Sequence, residues 1–383
     1  MGALQKLFTA HGAHYLKQFG ETMPATHRKV MAAMVACRTA QAGALLCGCA
    51  YCGQPHLVPR SCGNRHCPSC QGRKAFEWLA RQLERALPTH HFMLTFTVPE
   101  PLRPFLRSNQ RIGYEALFAA SAGAIRALAG EPRFKLGDQP GFFGVLHTWG
   151  RQLQYHPHIH YVVPGGALST EDRQWHAASP GFFLPVHALS AVFRGKFRDA
   201  IERAGLLAEI PDAAWEIAWN VNCQPVGDAA NTLGYLARYV FKVAISEQRI
   251  LDVDQQRVRF SYTQAHSNRR RTMALPIQEF IRRFLQHVLP QGFMKVRHYG
   301  FLSPSFGVPF EELRARVEMA HGFTAKPVNT DSEAPAPQPM VCAHCGGALK
   351  LLRVLRPATQ RPASASTSSC ASPAAPAALA AGP

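Results

Sequence analysis

The 383-residue sequence contains no run of about 20 apolar residues, the length that a helix needs to cross a membrane. Its first 20 residues (MGALQKLFTAHGAHYLKQFG) also lack the apolar segment of a secretory signal peptide. Acidic side chains are scarce, because 24 Asp and Glu face 42 Lys and Arg. These absences argue against a membrane protein and a secreted enzyme, so we expect a cytoplasmic, bacterial-type protein with no membrane partner.

The excess of basic side chains is concentrated in two regions. Residues 1–90 hold 11 basic and 3 acidic side chains, residues 235–300 hold 12 and 4, and residues 91–234 hold 12 of each. Clusters of this kind are typical of proteins that contact nucleic-acid phosphates. The sequence therefore predicts DNA as the partner. The basic residues expected to contact it are Arg65, Arg73, Lys74, Arg238, Lys242, Arg269, Arg270 and Arg271.

Cysteine is abundant and unevenly placed, with six of the 11 cysteines between Cys47 and Cys70. Without a secretory signal, such a cluster indicates metal binding rather than disulfides. Two C-x-x-C pairs can complete a tetrahedral Zn²⁺ site, so we expect a structural zinc ion bound by Cys49, Cys52, Cys67 and Cys70. Cys47, Cys62 and His66 remain alternative ligands. A further pair, Cys342 and Cys345, has no second pair near it in sequence.

Hydrophobic periodicity predicts an α+β fold with an antiparallel sheet and helices on one face. Strands are expected over residues 91–99, 141–150, 156–166 and 215–226, and a hairpin over residues 250–264. Helices are expected over residues 73–87, 111–130, 186–204, 231–245 and 277–289. From about residue 325 the composition shifts to Pro, Ala and Ser, which predicts a flexible tail.

The segment His156-Pro157-His158-Ile159-His160 carries metal-binding chemistry. Alternate residues of a strand share one face, so His158 and His160 can converge on one divalent ion while Ile159 enters the core. Imidazole suits Zn²⁺ and Mn²⁺, and Mg²⁺ is possible where substrate phosphate fills other positions. His147, on the preceding strand, is the predicted third ligand, with His156 and Gln154 as alternatives.

Two tyrosines, Tyr235 and Tyr239, are spaced to lie on one helical face, with Arg238 and Lys242 nearby. A tyrosine hydroxyl can attack a phosphodiester and hold the strand as a phosphotyrosine. A metal ion can polarise the phosphoryl oxygens. Together these residues predict a nuclease that cleaves and rejoins DNA without losing bond energy to water.

These motifs resemble those of the HUH endonuclease superfamily, and more specifically those of rolling-circle transposases of the insertion-sequence-ninety-one type. The segments that carry the resemblance are SCGNRHCPSCQ (61–71), LTFTVPEPLR (94–103), GVLHTWGRQLQYHPHIHYVVPGGALS (144–169), YLARYVFKVAIS (235–246) and EFIRRFLQHVLPQGFMKVRHYGFLS (279–303). They follow the family's order and extend over nearly all of the chain before the tail. Tyr235 and Tyr239 match the two-tyrosine form.

The resemblance implies a single-stranded DNA endonuclease and strand transferase that acts on element ends with Mg²⁺ or Mn²⁺ and is nucleoid-associated when it acts. It implies a zinc-binding, DNA-contacting domain (1–88), a nuclease domain with the tyrosine helix (89–248), a basic C-terminal region (249–324) and a flexible tail with a C-x-x-C knuckle (325–383). The alternatives are a rolling-circle replication initiator and a non-catalytic zinc-dependent DNA-binding protein. The crowding in CGCAYC (47–52) leaves the zinc ligands open.

Overall fold

The computed structural model describes residues 1–227, 244–264, 267, 269–322 and 340–356, with the side chains of residues 72–76 left out of the description. The α-helices of this part of the chain are α1 (Ala3–Phe19), α2 (Ala25–Ala36), α3 (Pro68–Glu84), α4 (Arg103–Ser108), α5 (Gln110–Ala129), α6 (Val186–Arg203), α7 (Ala213–Glu216), α8 (Ile277–Leu285) and α9 (Phe310–His321). Within the described residues, none of the helices is both long enough and apolar enough to cross a membrane.

The β-strands of the described residues form four sheets. They are β1 (Ala44–Cys49), β2 (Pro55–Pro59), β3 (His91–Thr97), β4 (Phe142–Trp149), β5 (Tyr155–Pro164), β6 (Gly166–Leu168), β7 (Trp175–Ala177), β8 (Asn220–Gly227), β9 (Ile250–Val253), β10 (Arg257–Thr263), β11 (Arg270–Pro276), β12 (Val296–Tyr299) and β13 (Leu349–Leu355). The largest sheet has five antiparallel strands in the order β12-β4-β5-β3-β8. This confirms a mixed fold built on antiparallel sheets.

The five-stranded sheet is covered by helices on both faces. On one face Phe96, Ile159 and Tyr161 belong to a core that includes residues of α5 and α6. On the other face Val145 and Val162 share a core with residues of α3 and α9. The prediction of helices on one face was therefore wrong. The reason is that β4 and the second half of β5 are buried on both sides, so both alternating sets of side chains need apolar partners.

A second core joins the N-terminal helices to residues 244–288. Residues of α1 and α2 pack with residues of β10, β11 and α8, and the rings of Phe8 and Phe284 have centroids 5.4 Å apart. The predicted hairpin over residues 250–264 is confirmed as β9 and β10, and β11 extends it to three strands. The domain boundaries given above stay a prediction.

The third sheet has the order β13-β1-β2 and joins residues 44–59 to residues 349–355. Its strand β13 lies in the segment that the sequence assigned to a flexible tail. Composition pointed to a tail because Pro, Ala and Ser dominate on both sides of residues 340–356. The short ordered segment between them was missed, since its partner strand is nearly 300 residues away.

Candidate functional site

Three histidines meet on one face of the central sheet. His158 and His160 lie on β5, and His147 lies directly opposite His158 on β4. One ring nitrogen from each of them falls within 4.8 Å of the others, and we call this group the histidine cluster. His147 is only 2% exposed, whereas His158 and His160 are partly exposed. The group is thus anchored on one side and open to solvent on the other.

The rings of His158 and His160 are oriented by hydrogen bonds through their Nδ1 atoms. Nδ1 of His158 lies 2.7 Å from the carbonyl oxygen of His156, and Nδ1 of His160 lies 2.9 Å from Oγ1 of Thr95. The carbonyl oxygen only accepts, so Nδ1 of His158 carries the proton and its Nε2 lone pair is available for a metal ion. The Thr95 hydroxyl can accept a proton from Nδ1 of His160 in the same way. Protein partners of this kind fix the tautomer and direction of metal-binding imidazoles. Thr95 was missed by the sequence analysis, although its place on β3 opposite His160 follows once the strands are paired.

Burial keeps both of these imidazoles uncharged at neutral pH. The pKa of His160 is lowered to about 4, chiefly by burial and then by the nearby His156. The pKa of His158 is lowered well below its ordinary value, again chiefly by burial and then by His160. Neutral imidazole is the metal-binding form. The donor set therefore fits a divalent ion such as Mn²⁺ or Zn²⁺.

An aromatic stack links the histidine cluster to a partly buried lysine, Lys295. The ring of Trp149 stacks on His147 with centroids 5.0 Å apart, and Nζ of Lys295 lies 4.9 Å from the centroid of Trp149. Burial, followed by the charge of Arg65, lowers the pKa of Lys295 to about 7. No sequence pattern indicated this lysine, because its position depends on how residues 290–295 fold back beside β4.

The predicted nucleophiles Tyr235 and Tyr239 lie outside the described residues, as do Arg238 and Lys242. The described chain ends at Gly227, the last residue of β8, and resumes at Ala244. Strand β8 pairs with β3, which in turn pairs with the histidine strand β5. The segment with the tyrosines is therefore joined to a strand two places from the histidine cluster.

The first cysteine cluster consists of Cys37, Cys62, Cys67 and Cys70. Its sulfur atoms lie 3.5 Å apart for the Cys37–Cys70 and Cys62–Cys70 pairs and 3.8 Å apart for Cys37–Cys67. A tetrahedral ion with Zn–S bonds of about 2.3 Å separates its sulfurs by about 3.8 Å. A hydrogen bond from the Cys67 thiol is the main cause that lowers the pKa of Cys62 to about 5. The cluster fits structural zinc.

The predicted set of four zinc ligands is divided between two clusters. Cys67 and Cys70 belong to the first cluster, but Cys49 and Cys52 lie with Cys342 and Cys345 in a second cysteine cluster. The cause is the β1–β2 hairpin, because its five-residue strand β2 carries the chain about 15 Å away from the Cys49–Cys52 turn.

Of the alternative ligands, Cys62 joins the first cluster. Cys47 and His66 belong to neither cluster among the described residues. Cys37 was missed because it lies 25 residues before Cys62 in sequence, with no spacing motif of its own.

Apart from Arg238 and Lys242, the predicted DNA-contacting residues divide into three groups. Arg269, Arg270 and Arg271 are exposed on the hairpin formed by β10 and β11. The backbone of Arg73 and Lys74 lies in α3, but their side chains are outside the description. Arg65 instead donates hydrogen bonds to the carbonyl oxygens of Phe293 (2.6 Å) and Pro290 (2.7 Å).

We therefore expect Arg65→Ala to lower the free energy of unfolding by about 1 kcal/mol, because two charge-assisted hydrogen bonds between distant segments disappear. Denaturant titration measures this, with Arg269→Ala as a control that changes an exposed arginine. DNA affinity should change less in Arg65→Ala than in Arg269→Ala. Unchanged stability together with weakened DNA binding would instead support a direct DNA contact by Arg65.

The family models and relatives that this chain matches are all described as transposases or as a transposase domain. Residues 141–307 match a family model described as a putative transposase, and residues 7–98 match a transposase zinc-binding domain. A putative transposase of Sinorhizobium fredii, y4qJ, is 36% identical over 353 residues, covering 84% of this chain and 87% of that protein. The transposase for insertion sequence element IS801 of Pseudomonas savastanoi pv. phaseolicola is 28% identical over 325 residues, covering 78% and 76%. No solved structure matches the chain significantly.

Proposed function

The chain belongs to the transposases of the IS91 type, and from this membership we propose that it nicks single-stranded DNA at the ends of its element and transfers the strand through a 5′-phosphotyrosine. A transposase binds DNA and cuts and joins its strands. What we propose in addition is the phosphotyrosine intermediate and the single-stranded form of the DNA. The observation that carries it is the histidine cluster, in which three imidazole nitrogens lie within 4.8 Å of one another on an antiparallel sheet, with His158 and His160 partly exposed.

The histidine cluster would hold the divalent ion, Mg²⁺ or Mn²⁺. A bound divalent ion stabilises negative charge on the phosphoryl oxygens during attack. Neighbouring groups hold the three imidazole rings of the cluster in place. Thr95 and the carbonyl of His156 orient two of the rings, and Trp149 stacks against the third. The position is fixed because His147 and His158 face each other across paired strands rather than lying on a loop.

The chemical step would be a direct exchange of phosphate esters. The hydroxyl oxygen of Tyr235 or Tyr239 attacks the phosphorus, a tyrosine–phosphorus bond forms, and the bond to the 3′ oxygen breaks. The proton of the tyrosine ends on the departing 3′ hydroxyl. A 3′ hydroxyl then attacks the phosphotyrosine in reverse, which restores a phosphodiester and the free tyrosine. A second tyrosine would allow a second strand to be held before the first is released.

The β10–β11 hairpin places positive charge at the same end of the sheet as the histidine cluster. Arg151, in the turn between the histidine strands β4 and β5, donates hydrogen bonds to the carbonyl oxygens of Thr263 (3.2 Å) and Gln264 (2.6 Å). The backbone N–H of Gln264 donates a hydrogen bond to the carbonyl oxygen of Arg269 (3.0 Å). The exposed arginines therefore begin beside the β4–β5 turn that contains Arg151. We propose that Arg269, Arg270 and Arg271 bind phosphates of the DNA strand as it approaches the cluster.

Replacing these three arginines by alanine is expected to weaken single-stranded DNA binding and flatten its salt dependence. Each phosphate that is no longer neutralised lowers the slope of log K against log salt by about 0.7 for single strands. Fluorescence anisotropy at several salt concentrations measures both quantities. A matched control changes Arg194, Lys196 and Arg203, which are exposed on α6 behind the opposite face of the sheet. Equal effects in the two triple variants would contradict a specific role of the hairpin.

The test of the proposed function is formation of a covalent adduct. The full chain is incubated with Mn²⁺ or Mg²⁺ and with single-stranded oligonucleotides from the element ends, and the products are separated on a denaturing gel. We expect a protein–DNA adduct attached to the 5′ phosphate of one fragment, a free 3′ hydroxyl on the other, and neither in the presence of chelator. Cleavage without an adduct, or adduct formation only on duplex DNA, would overturn the proposal.

A further inference from the structure

Two loops at opposite ends of the sequence have the same conformation. Cys49-Ala-Tyr-Cys52-Gly53 and Cys342-Ala-His-Cys345-Gly346 each end in a glycine with positive φ, of 72° and 75°. In each loop this glycine N–H donates to the carbonyl of the first cysteine, at 3.1 and 2.9 Å. The N–H of the first cysteine donates to the carbonyl five residues on, at 3.0 and 2.8 Å. The two loops therefore share the positive-φ glycine and both of these backbone hydrogen bonds.

The four thiols of these loops point to a common centre, the second cysteine cluster. Sulfur atoms of Cys49 and Cys345 lie 3.4 Å apart, and those of Cys52 and Cys342 lie 3.7 Å apart. These distances are near the 3.8 Å or so expected around tetrahedral zinc and well above the disulfide length of about 2.05 Å.

Hydrogen-bond donors surround the sulfurs. Backbone N–H groups of Tyr51 and Cys52 point at Sγ of Cys49, and that of His344 points at Sγ of Cys342, all at 3.4 Å. Nε2 of His56 lies 3.1 Å from the same Cys342 sulfur. Donors at this position stabilise a bound thiolate, which is the form that ligates a metal.

Apolar burial does little to hold the C-terminal loop in place. Strand β13 pairs with β1 from Ala44↔Leu355 to Cys49↔Leu349. Its apolar side chains are nevertheless largely open to water, with Leu351 55% and Leu352 64% exposed. A three-stranded sheet without a covered apolar face is marginally stable in water, and small folds of this kind are stabilised by disulfides or metal ions.

We propose that Cys49, Cys52, Cys342 and Cys345 bind a second Zn²⁺, distinct from that of the first cysteine cluster, which fastens the C-terminal strand to the N-terminal sheet. The matched zinc-binding domain, residues 7–98, contains only two of these four ligands. The N-terminal module of this transposase is therefore completed by residues more than 240 positions beyond that domain. The inference does not depend on the phosphotyrosine mechanism.

The zinc content of the purified full-length chain tests the proposal. With the histidine cluster occupied by Mn²⁺, elemental analysis should give two zinc ions for the wild type and one for Cys342→Ser/Cys345→Ser. Cys47→Ser is the matched control and should keep two, because Cys47 lies on the same strand as Cys49 but in neither cluster. One zinc in the wild type, retained in Cys342→Ser/Cys345→Ser, would overturn the proposal.

Thiol reactivity provides a second measurement that needs no variant. Cys52 and Cys345 are exposed, so unligated thiols at these positions would react rapidly with iodoacetamide. We expect mass spectrometry to find both protected in the native protein and modified after a strong chelator removes zinc. Rapid modification before chelation would contradict the site. So would a reductant-sensitive cross-link between Cys49 and Cys345, which would indicate a disulfide instead.

Discussion

The double variant Tyr235→Phe/Tyr239→Phe is expected to form no covalent adduct with DNA, with cleavage reduced by about 10³-fold or more. The change removes only the two hydroxyl oxygens and keeps both rings, so the nucleophile disappears while the apolar surface stays. Removal of a catalytic nucleophile in other enzymes has costs of this size or larger. Binding of single-stranded DNA should change little, since the phenol oxygens are not needed for phosphate contacts by arginine or lysine.

The single variants separate the roles of the two tyrosines. Tyr235→Phe and Tyr239→Phe should each leave an adduct on the remaining tyrosine or abolish only one of the two strand transfers. Tyr262→Phe is the matched control, because Tyr262 lies on β10 next to the exposed arginines and outside the tyrosine segment. An adduct that persists in the double variant, or one that peptide mapping assigns to another residue, would contradict the phosphotyrosine proposal.

His147→Ala is expected to lower metal-dependent cleavage by about 10²-fold or more while leaving DNA affinity nearly unchanged. The reason is that His147 supplies one of three ring nitrogens in the cluster, and even outer-shell changes at metal sites cost 10- to 100-fold. Raising the Mn²⁺ concentration should restore part of the activity, because two imidazoles and the substrate phosphate remain. Cleavage rates at increasing Mn²⁺ measure both effects.

His156→Ala is the control for this change. Its ring centroid lies 5.1 Å from that of His158, but its side chain is not in the histidine cluster, and the carbonyl that orients His158 is kept. Because His147 is buried, His147→Gln serves as a second variant that fills more of the space. Unchanged cleavage in both His147 variants, or a larger decrease in His156→Ala, would remove His147 from the proposed site and favour His156.

Much of the central sheet could be predicted from the sequence, because alternation of apolar residues is a local signal. The strands expected over residues 91–99, 141–150 and 156–166 agree with β3, β4 and β5 to within a few residues. Strand β12 was missed, since its four residues show no alternation and are a strand only because they pair with β4. Residues 213–216 were partly assigned to a strand but form α7.

The sequence by itself determined the local chemistry of this protein. It placed His158 and His160 on one face, because side chains of a strand alternate with period two whatever lies around it. It also identified the family through motifs in a fixed order, and the comparisons confirm that family. Charge clustering indicated a nucleic-acid partner without knowledge of the fold, because the net charge of a segment is a sum over its residues.

Only the tertiary structure decided which residues share a site. His147 meets His158 because β4 and β5 pair in one particular register, and a shift by one residue would turn its ring to the other face. Cys49 and Cys52 meet Cys342 and Cys345 because β13 returns to β1 across nearly 300 residues. Spacing in sequence predicts ligands that lie on one loop. Ligands on two loops that are distant in sequence come together only through the tertiary fold, and no local sequence pattern predicts that they meet.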